Sequence, residues 1–454
     1  MIPEYIKRTL EALENMGYES YIVGGAVRDM IRGVPVHDYD ITTNALPEQT
    51  CAAMTEAGFK KVTDMSEKYG TVVFADPAVP GSKIEITTFR SDDDYEDQRH
   101  PQNVSFGASL EQDASRRDFT VNSIYMDKDG NIKDPNNGRD DIMKGVIRAI
   151  GIPGERFRED ALRILRAVRF EAKTGFKITN VTSEAMIEHA LLLKNISAER
   201  ICAELTGIVT AINGPAAIRD NLEVVSVIIP ELLLQKDFDQ KSKFHDRDLL
   251  THTLDTLNGI PTDDNGIKDT ALAYAALLHD IGKPAVFTID EDGVGHMKTH
   301  ADVGKVIAER VANELKLPND LKYEIKDLVT YHDSFPEPER KSVRRFVSRH
   351  GAKFCEKLFI LQRSDVRAHS VFGKERYERL MKINELYLEL MEEGACLTVS
   401  DLAISGQDIM DLGVPEGPGV GVILHDLLSK VLDEVLENAP KPLISYVREH
   451  YLKE

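Results

Sequence analysis

Two carboxylates, Asp38 and Asp40, are separated by one residue in a segment that we predict to be a β-strand. Residues i and i+2 of a strand face the same side, so both carboxylates are expected in one small volume. Two negative charges held that close repel each other unless a cation lies between them. Mg²⁺ suits such a site, because it binds through a few oxygen ligands together with substrate phosphates.

A phosphate-binding turn is predicted just before these carboxylates. The apolar run Tyr21–Val23 is typical of a short strand, Gly24 and Gly25 end it, and Ala26–Ile31 is predicted to be helical. Glycine backbone and the free N–H groups at a helix N-terminus can receive phosphate oxygens. A glycine turn alone is usually only a turn, and an Asp-x-Asp pair alone is usually a solvated strand end. Their order and tight spacing together predict metal-assisted transfer of a nucleotide.

Two adjacent arginines, Arg116 and Arg117, are followed directly by Asp118. Guanidinium groups bind phosphate oxygens in a fixed geometry, so this pair could hold a triphosphate with Asp118 keeping it in place. If the segment stood alone, a surface ion-pair patch would be the simpler interpretation.

A second arginine-rich segment is predicted to be a helix over Asp160–Lys173. Asp160 and Arg163 are then i,i+3 neighbours, and Arg166 and Arg169 continue the same ridge. Such spacing usually indicates a salt-bridged helix face. Cytosine and adenine, however, both present an amino donor beside a ring-nitrogen acceptor, which matches a carboxylate beside a guanidinium. Uracil and guanine would place a carbonyl against Asp160, so this pair would admit C and A and reject U and G.

Length and charge restrict the classes of protein. A chain of 454 residues should hold two to four domains, and its net charge of -20 argues against a generic nucleic-acid coat protein. A local basic track is nevertheless predicted from these residues: Arg156, Arg158, Arg163, Arg166, Arg169 and Lys173. The sequence shows no apolar run of membrane-span length and no signal-peptide core, and its four cysteines are far apart. These features predict a cytoplasmic protein that does not enter a membrane.

The fold class is predicted to be α+β. Short strands alternate with helices up to about residue 150, and helical periodicity dominates from about residue 155. The predicted strands are Tyr21–Val23, Asp38–Thr42, Thr71–Ala75, Ile84–Phe89 and Ser123–Met126. The segment Arg90–Pro101, which contains the acidic run Asp92–Asp97, is too polar to pack and is predicted to be a mobile loop.

Five motifs occur in a defined order between about residues 20 and 215: Gly24–Asp29, His37–Asp40, Arg116–Asn122, Glu159–Arg166 and Ile196–Arg200. Their order and spacing resemble those of the class II tRNA nucleotidyltransferase/poly(A) polymerase family. The resemblance implies a polymerase-β-like nucleotidyltransferase head at residues 1–150 and an all-helical neck with a nucleobase-reading helix at 151–235. It further implies an HD domain at 240–375 and a helical tRNA-binding tail at 376–454.

The resemblance also implies an activity and its residues. CTP, CTP and ATP would be added to the tRNA 3′ end without a nucleic-acid template, with tRNA as the partner and no stable protein partner. By motif position, Asp38 and Asp40 would be catalytic and would hold Mg²⁺. The nucleotide would be bound by Gly25, Arg28, Arg116, Arg117, Asp160, Arg163, Arg166 and Arg169. Glu85 is either a third carboxylate of this site or a solvated strand residue.

A further set of histidines and aspartates resembles the HD metal-dependent phosphohydrolase family. The adjacent His279 and Asp280 end an apolar helix, and a buried His-Asp pair needs hydrogen-bonding or metal partners. The resemblance implies a metal site formed by His252, His279, Asp280 and Asp365, with His300 and His332 helping to hold a second ion. The typical two-metal version has His-His where this chain has His332-Asp333, which leaves the second ion open. Mn²⁺, Ni²⁺ or Co²⁺ would serve an active site here, but a fold can outlast its chemistry.

The favoured function is CCA addition to tRNA, and four alternatives stay open. A poly(A) polymerase or an A-adding or CC-adding specialist would share the family motifs, although the intact Arg90–Pro101 segment argues against CC-only addition. An HD phosphohydrolase with a degenerate head is disfavoured because Asp38, Asp40 and Asp160 are all present. A non-catalytic RNA-binding module fits least well with the net charge of -20.

Overall fold

The computed structural model describes residues 2–36, 38–63, 70–92, 104–242, 247–369 and 374–452. It divides into two compact units, Met1–Leu233 and Leu234–Glu454. His37 and residues 93–101 of the predicted acidic loop lie outside the described residues. Within the described ranges, the helices are too short or too polar to cross a membrane.

The strands of the first unit are short. They are β1 (Ser20–Val23), β2 (Asp40–Thr43), β3 (Lys60–Thr63), β4 (Thr71–Ala75), β5 (Ile84–Thr88), β6 (Arg90–Asp92), β7 (Val104–Phe106), β8 (Tyr125–Met126), β9 (Ile132–Lys133), β10 (Val146–Ile147) and β11 (Lys177–Ile178). In the described part of the chain, seven of them form a mixed sheet in the order β3-β4-β5-β2-β1-β8-β9. The β2–β5 pair is parallel, whereas β1 pairs with β2 and with β8 in antiparallel fashion. Asp40 and Glu85 are paired near the starts of these two parallel strands, and we call this end of the two strands the carboxylate edge.

Helices surround the sheet and then form the rest of the first unit. They are α1 (Glu4–Asn15), α2 (Gly25–Arg32), α3 (Pro47–Glu56), α4 (Leu110–Ser115), α5 (Gly138–Lys144), α6 (Pro153–Glu159), α7 (Leu162–Thr174), α8 (Asn180–His189), α9 (Ala198–Val209), α10 (Gly214–Asp220) and α11 (Leu222–Val225), with 3₁₀ helices at Thr120–Asn122, Ala190–Asn195 and Pro230–Gln235. Helix α7 packs against α9 and α10 and is buried on most sides. Its arginines are therefore held close to the protein interior.

The second unit is helical apart from one small hairpin, β12 (Thr288–Ile289) and β13 (Gly295–His296), among its described residues. Its helices are α12 (Leu249–Gly259), α13 (Thr270–Leu278), α14 (Lys283–Val286), α15 (His300–Glu314), α16 (Asn319–Tyr331), α17 (Arg340–His350), α18 (Ala352–Arg367), α19 (Lys374–Glu392), α20 (Gly406–Asp411), α21 (Pro418–Leu432) and α22 (Pro440–Tyr451), with a 3₁₀ helix at Val399–Asp401. Helix α13 is apolar on every side, so it can be stable only as a buried helix. It packs against α12, α16 and α18, which brings their polar ends together.

The α+β prediction is confirmed, and all five predicted strands are present, with no end displaced by more than two residues. The displacement at the start of the predicted strand Asp38–Thr42 affects the site. Strand β2 begins at Asp40, which pairs with Val23, so Asp38 precedes the strand. The predicted loop is also partly wrong, because Arg90–Asp92 pairs with Val104–Phe106 as a hairpin.

The predicted helix Asp160–Lys173 starts too early. Helix α6 ends at Glu159, Asp160 is extended with φ -143° and ψ 100°, and α7 begins at Leu162. The Asp160 carboxylate accepts a hydrogen bond from the Leu162 backbone N–H at 3.1 Å. A short acidic side chain that captures a nearby backbone N–H favours a break before a helix rather than its interior. Asp160 and Arg163 therefore do not share one helical ridge.

Candidate active site and candidate metal centre

The head carboxylates lie at the start of β2 and on its parallel neighbour. Asp40 is directly opposite Glu85 of β5, and residues opposed on neighbouring strands project from the same face. Removal from water and then the Glu85 carboxylate raise the pKa of Asp40, with Asp38 adding to the increase and Arg117 opposing it. A cation beside Asp40 would offset this repulsion and stabilise its ionised form. This donor set of oxygens fits a hard divalent ion such as Mg²⁺.

The glycine turn brings backbone close to these carboxylates. Gly24 has φ 75°, which L side chains rarely adopt, and a Cβ added there would lie 3.8 Å from Asp40 Oδ2 and 4.0 Å from the Asn122 carbonyl oxygen. Gly25 is the first residue of α2. The N-terminus of α2 is thus placed beside the carboxylate edge, as the sequence predicts.

Arg28 is buried within the protein. Its guanidinium donates to Asp29 Oδ1 at 2.9 Å, to Asp29 Oδ2 at 3.0 Å and to Asn122 Oδ1 at 2.8 Å. Asn122 Nδ2 in turn donates to Asp118 Oδ1 at 3.2 Å. Arg28 is therefore tied to the segment that carries the two predicted phosphate-binding arginines.

The arginine pair is held by Asp113 and not by Asp118, so this part of the prediction is wrong. Arg116 donates to Asp113 Oδ1 at 2.5 and 2.9 Å, and Arg117 donates to Asp113 Oδ2 at 3.0 and 3.3 Å. Tyr125 also donates to Asp113, at 2.9 Å. Burial raises the pKa of Asp113, but the charges of Arg117 and Arg116 outweigh it and lower the pKa below its usual value. Asp113 lies one helical turn before both arginines, and this i,i+3 and i,i+4 spacing is a signal that could have identified it.

Asp118 binds an arginine from the other segment. Arg166 donates to Asp118 Oδ2 at 2.6 and 2.9 Å. Arg163 donates to the backbone oxygen of Arg116 at 2.9 Å and to Glu159 at 2.7 Å. Residues 113–122, which we call the hub segment, therefore receive arginines from both α2 and α7.

Asp160 and Arg169 are held by α9. Arg200 donates to Asp160 Oδ2 at 2.7 Å, and Arg169 lies 3.1 Å from Glu204 Oε2. The predicted Asp160–Arg163 pair is thus brought to one region, but each charged group is oriented by a different partner. Glu204 was missed in the sequence, although its position one turn after Arg200 places it on the same face of α9.

The predicted HD residues converge from five segments of the second unit. His252 lies on α12, His279 and Asp280 follow α13, His300 begins α15, His332 follows α16, and Asp365 lies on α18. His252 Nε2 is 3.4 Å from Asp280 Oδ2 and 3.1 Å from Asp365 Oδ1. On the other side of Asp280, Oδ1 is 3.4 Å from His300 Nε2 and 3.5 Å from His332 Nε2. Asp280 therefore lies between two groups of imidazoles.

The tautomers of three imidazoles follow from their backbone contacts. His279, His300 and His332 each place Nδ1 2.7 to 2.9 Å from a carbonyl oxygen, which can accept but not donate. In neutral rings, Nε2 is then a bare lone pair that faces the centre. Yet His300 Nε2 is 3.1 Å from His332 Nε2, and His279 Nε2 is 3.4 Å from His252 Nε2. The facing lone pairs of His300 and His332 are stable at 3.1 Å only with a proton or a metal ion between them, so these residues fit a metal centre.

The electrostatics agree with a cation at this position. Burial lowers the pKa of His252, but hydrogen bonds to Asp280 and Asp365 outweigh burial and raise it to about 9. Burial would raise the pKa of Asp280, but His279 and Lys283 hold it well below its usual value. Lys283 Nζ is 2.6 Å from Asp280 Oδ2. Within the described residues, three groups could each hold an ion, because the donor atoms inside each group all lie within 4.8 Å of one another. They are His252, His279 and Asp280; Asp280, His300 and His332; and His252, Asp365 and His369.

Comparison with known families assigns three segments. Residues 20–148 match the family described as poly A polymerase head domain, and residues 250–391 match the HD domain. Residues 175–232 match the family described as probable RNA and SrmB-binding site of polymerase A. The chain therefore contains a head domain of the poly A polymerase family. It carries an HD domain as well.

Individual relatives agree with this assignment. The CCA-adding enzyme of Geobacillus stearothermophilus is 46% identical over 210 residues, which are 46% of this chain and 49% of that protein. The chain thus spans about half the length of this relative. The CCA-adding enzyme of Ligilactobacillus salivarius is 37% identical over 275 residues, 60% of this chain and 66% of that protein. The crystal structure of Bacillus stearothermophilus CCA-adding enzyme in complex with CTP matches with a TM-score of 0.70 at 27% identity, covering 99% of this chain and 98% of that one.

Proposed function

We propose that this protein adds CCA to tRNA 3′ ends, using CTP and ATP and no nucleic-acid template. The observation that carries the proposal is the hub segment. It binds Arg28 from α2 and Arg163 and Arg166 from α7, and its Asn122 carbonyl lies beside the Gly24 turn and the Asp40 carboxylate. Carboxylates, phosphate-binding arginines and a base-reading segment are thereby linked in one unit. The relatives at 37–46% identity are named as CCA-adding enzymes, which supports the same substrates here.

Asp38 and Asp40 are proposed to hold Mg²⁺, with Glu85 beside them on β5. Such an ion, when bound, would lower the charge on the pyrophosphate leaving group and favour the ionised 3′-hydroxyl. Arg116 and Arg117, fixed by Asp113, would orient the triphosphate through bidentate contacts. Gly25 and Arg28 would place the remaining phosphate and ribose oxygens at the start of α2.

Base selection is proposed for Asp160 and Arg163. A carboxylate that accepts and a guanidinium that donates match the Watson–Crick edges of C and A. Arg200 holds the carboxylate from one side, and Glu159 with the Arg116 carbonyl holds the guanidinium. Two groups that are fixed separately keep their spacing when the base changes from a pyrimidine to a purine. Arg166 and Arg169, tied to Asp118 and Glu204, would extend the pocket.

The proposed boundaries are a head at residues 1–150, a neck at 151–235, an HD domain at 240–375 and a tail at 376–454. The head and HD family matches, at 20–148 and 250–391, support the first and third of these. We also propose a cytoplasmic location, which is favoured because Cys51, Cys202, Cys355 and Cys396, all among the described residues, form no disulfide.

One experiment separates CCA addition from its rivals. The purified protein is incubated with tRNA that lacks the CCA end, with each nucleoside triphosphate alone and in mixtures. We expect two C residues with CTP alone and completion to CCA when ATP is added. Long A tails from ATP alone would favour a poly(A) polymerase. Addition of A to tRNA supplied with a CC end, with no C added to tRNA that lacks CCA, would favour an A-adding specialist.

We propose a second activity, hydrolysis of a phosphoester at the HD centre. The observation that favours it is the buried group of imidazoles and carboxylates around Asp280. One divalent ion would be held by His252, His279, Asp280 and Asp365. A second ion would be held by His300 and His332 together with Asp280. Imidazole-rich sites favour Mn²⁺, Co²⁺ or Ni²⁺ over Mg²⁺. A bound ion of this kind would supply a nucleophilic hydroxide at neutral pH.

The hydrolysis is tested separately from CCA addition. A 2′,3′-cyclic phosphate and a simple phosphomonoester are offered to protein that has been stripped with chelator and reloaded with Mn²⁺, Co²⁺ or Ni²⁺. We expect hydrolysis that requires the ion and is lost in the double variant His279→Ala, Asp280→Ala. Protein that binds no transition metal and hydrolyses neither ester would leave this domain as a structural part of the enzyme.

A further inference from the structure

His369 is directed back toward the candidate metal centre from the end of α18. The backbone N–H of Ala368 donates to the Asp365 carbonyl at 3.0 Å, and that of His369 donates to Val366 at 3.2 Å, so the helix tightens where it ends. The His369 side chain is 3% exposed, and its Nε2 lies 3.2 Å from Asp365 Oδ1. A polar ring this deeply buried needs a hydrogen-bonding or metal partner.

Three imidazole nitrogens surround the same carboxylate oxygen. Asp365 Oδ1 is 3.1 Å from His252 Nε2, 3.2 Å from His369 Nε2 and 3.8 Å from His279 Nε2. Metal ligands with bonds of about 2.0–2.2 Å lie roughly 3 Å apart when adjacent on one ion and about 4.2 Å apart when opposite. The two shortest distances therefore equal the spacing of adjacent ligands.

His252 and His369 also lie close to each other beside Asp365. Their ring centroids are 5.3 Å apart with a tilt of 36°, and donor atoms of His252, Asp365 and His369 all lie within 4.8 Å of one another. Asp365 shares such a group with His252 and His369, whereas Asp280 belongs to the other two groups. His252 belongs to a group with each carboxylate, and His369 adds a third donor to the group around Asp365.

We propose that His369 is a direct ligand of the ion that His252 and Asp365 hold in the HD centre. This inference rests on the proposed metal centre and adds a ligand that the HD motif residues do not include. An imidazole in this position raises the nitrogen content of the site, so the ion is of the Mn²⁺, Co²⁺ and Ni²⁺ class and not Mg²⁺. The competing role for His369 is an outer hydrogen bond to Asp365, which would orient the carboxylate without touching the ion.

The test uses the full-length protein, stripped with chelator and loaded with Co²⁺ alone. His369→Gln and His369→Ala are compared with wild type and with His425→Gln, which changes a His-Asp dipeptide on α21 that lies outside the HD centre. X-ray absorption counts the imidazoles on Co²⁺, the visible band reports the coordination geometry, and competition with a chelator gives the affinity. Thermal unfolding of the stripped proteins shows that each variant is folded.

Both His369 variants should lose one imidazole from the ion and change the visible band. Their affinity should fall by more than the roughly 10–100-fold that loss of an outer partner costs. Glutamine can still donate a hydrogen bond to Asp365, so an unchanged imidazole count in folded His369→Gln would overturn the proposal. His425→Gln should match wild type in all three measurements. If wild-type protein binds no Co²⁺, the proposal of a metal centre is wrong. If Co²⁺ binds but its coordination is the same without His369, only the ligand role of His369 is wrong.

Discussion

The two candidate sites differ in how their carboxylates are exposed to solvent and paired with positive groups. In the first unit, Asp38 and Asp40 reach solvent, and crowding by the surrounding protein together with the Glu85 carboxylate raises the pKa of Asp40. In the second unit, the side chains of Asp280 and Asp365 are 3% and 6% exposed and are surrounded by imidazoles and Lys283. A buried carboxylate must have its partners in the fold, whereas an exposed one can obtain them from solvent or substrate.

This difference indicates how each site is completed. The head arginines are already fixed by Asp113 and Asp118, whereas the cation in contact with Glu85 is Lys83, a mostly exposed side chain that solvent or substrate can displace. We infer that a nucleotide and its metal ion complete the head site, while the HD centre carries its own ligands before any substrate arrives. Substitutions should therefore affect catalysis in the head and metal retention in the HD domain.

The largest effect is expected for Asp38→Asn and Asp40→Asn. Each removes an anionic ligand but keeps the size of the side chain, so nucleotide incorporation into tRNA should fall by at least about 10²–10³-fold. Incorporation of labelled CTP measures the loss, and Asp140→Asn, on an exposed turn of α5, should have no effect. Turnover near the wild-type rate in folded Asp40→Asn would refute a catalytic role for the carboxylate edge.

Asp280→Asn should produce the next largest effect, and in the other unit. Asp280 belongs to two of the three donor groups, so its neutralisation should weaken transition-metal binding by more than about 100-fold. Metal content after dialysis measures this loss, and CCA addition should be unchanged in the same sample. A parallel loss of CCA addition would contradict the separation of the two sites.

Base discrimination should change moderately when the base-reading residues are truncated. Asp160→Ala should let UTP or GTP compete with CTP and ATP, and Arg163→Ala should weaken CTP and ATP together. Loss of one charge-assisted hydrogen bond costs about 1.5–3 kcal/mol, or roughly 10–100-fold in relative kcat/KM. Arg200→Ala serves as the matched comparison, since it frees Asp160 without removing it. Unchanged nucleotide preference in both truncated variants would reduce these residues to a structural role.

The smallest effect is expected for Asp113→Asn, which tests whether the arginine pair is positioned from within. The variant loses the negative charge that Arg116, Arg117 and Tyr125 share, so the free energy of unfolding should fall by about 1–3 kcal/mol. Denaturant unfolding measures this change. The KM for CTP should rise several-fold with kcat less affected, because the arginines lose orientation but not their own charge. A change in kcat alone would argue that Asp113 acts on the chemical step.

Local pattern was sufficient for the parts of the molecule that depend on neighbours in the chain. Gly24 and Gly25 between an apolar run and a helix specify a tight turn, because glycine alone adopts φ 75° without strain. The apolar Ala271–Leu278 segment can be stable only inside a protein, so the adjacent His279 and Asp280 had to be buried. The order of the motifs was likewise enough to identify the family of the head domain.

Partners distant in the chain were decided by the tertiary structure. Asp118 was assigned to the arginines beside it, but packing of α7 brings Arg166 to it and leaves Asp113 to hold Arg116 and Arg117. Asp160 was placed inside a helix, yet its contact with the Leu162 N–H separates it from α7. No sequence motif identified His369 as a site residue, because its contact with Asp365 depends on the path of the chain after α18. Residue types and short spacings therefore determined which chemistry the chain contains. Which charges face each other depended on long-range packing, since burial forces each ionised group to the nearest complementary partner in space.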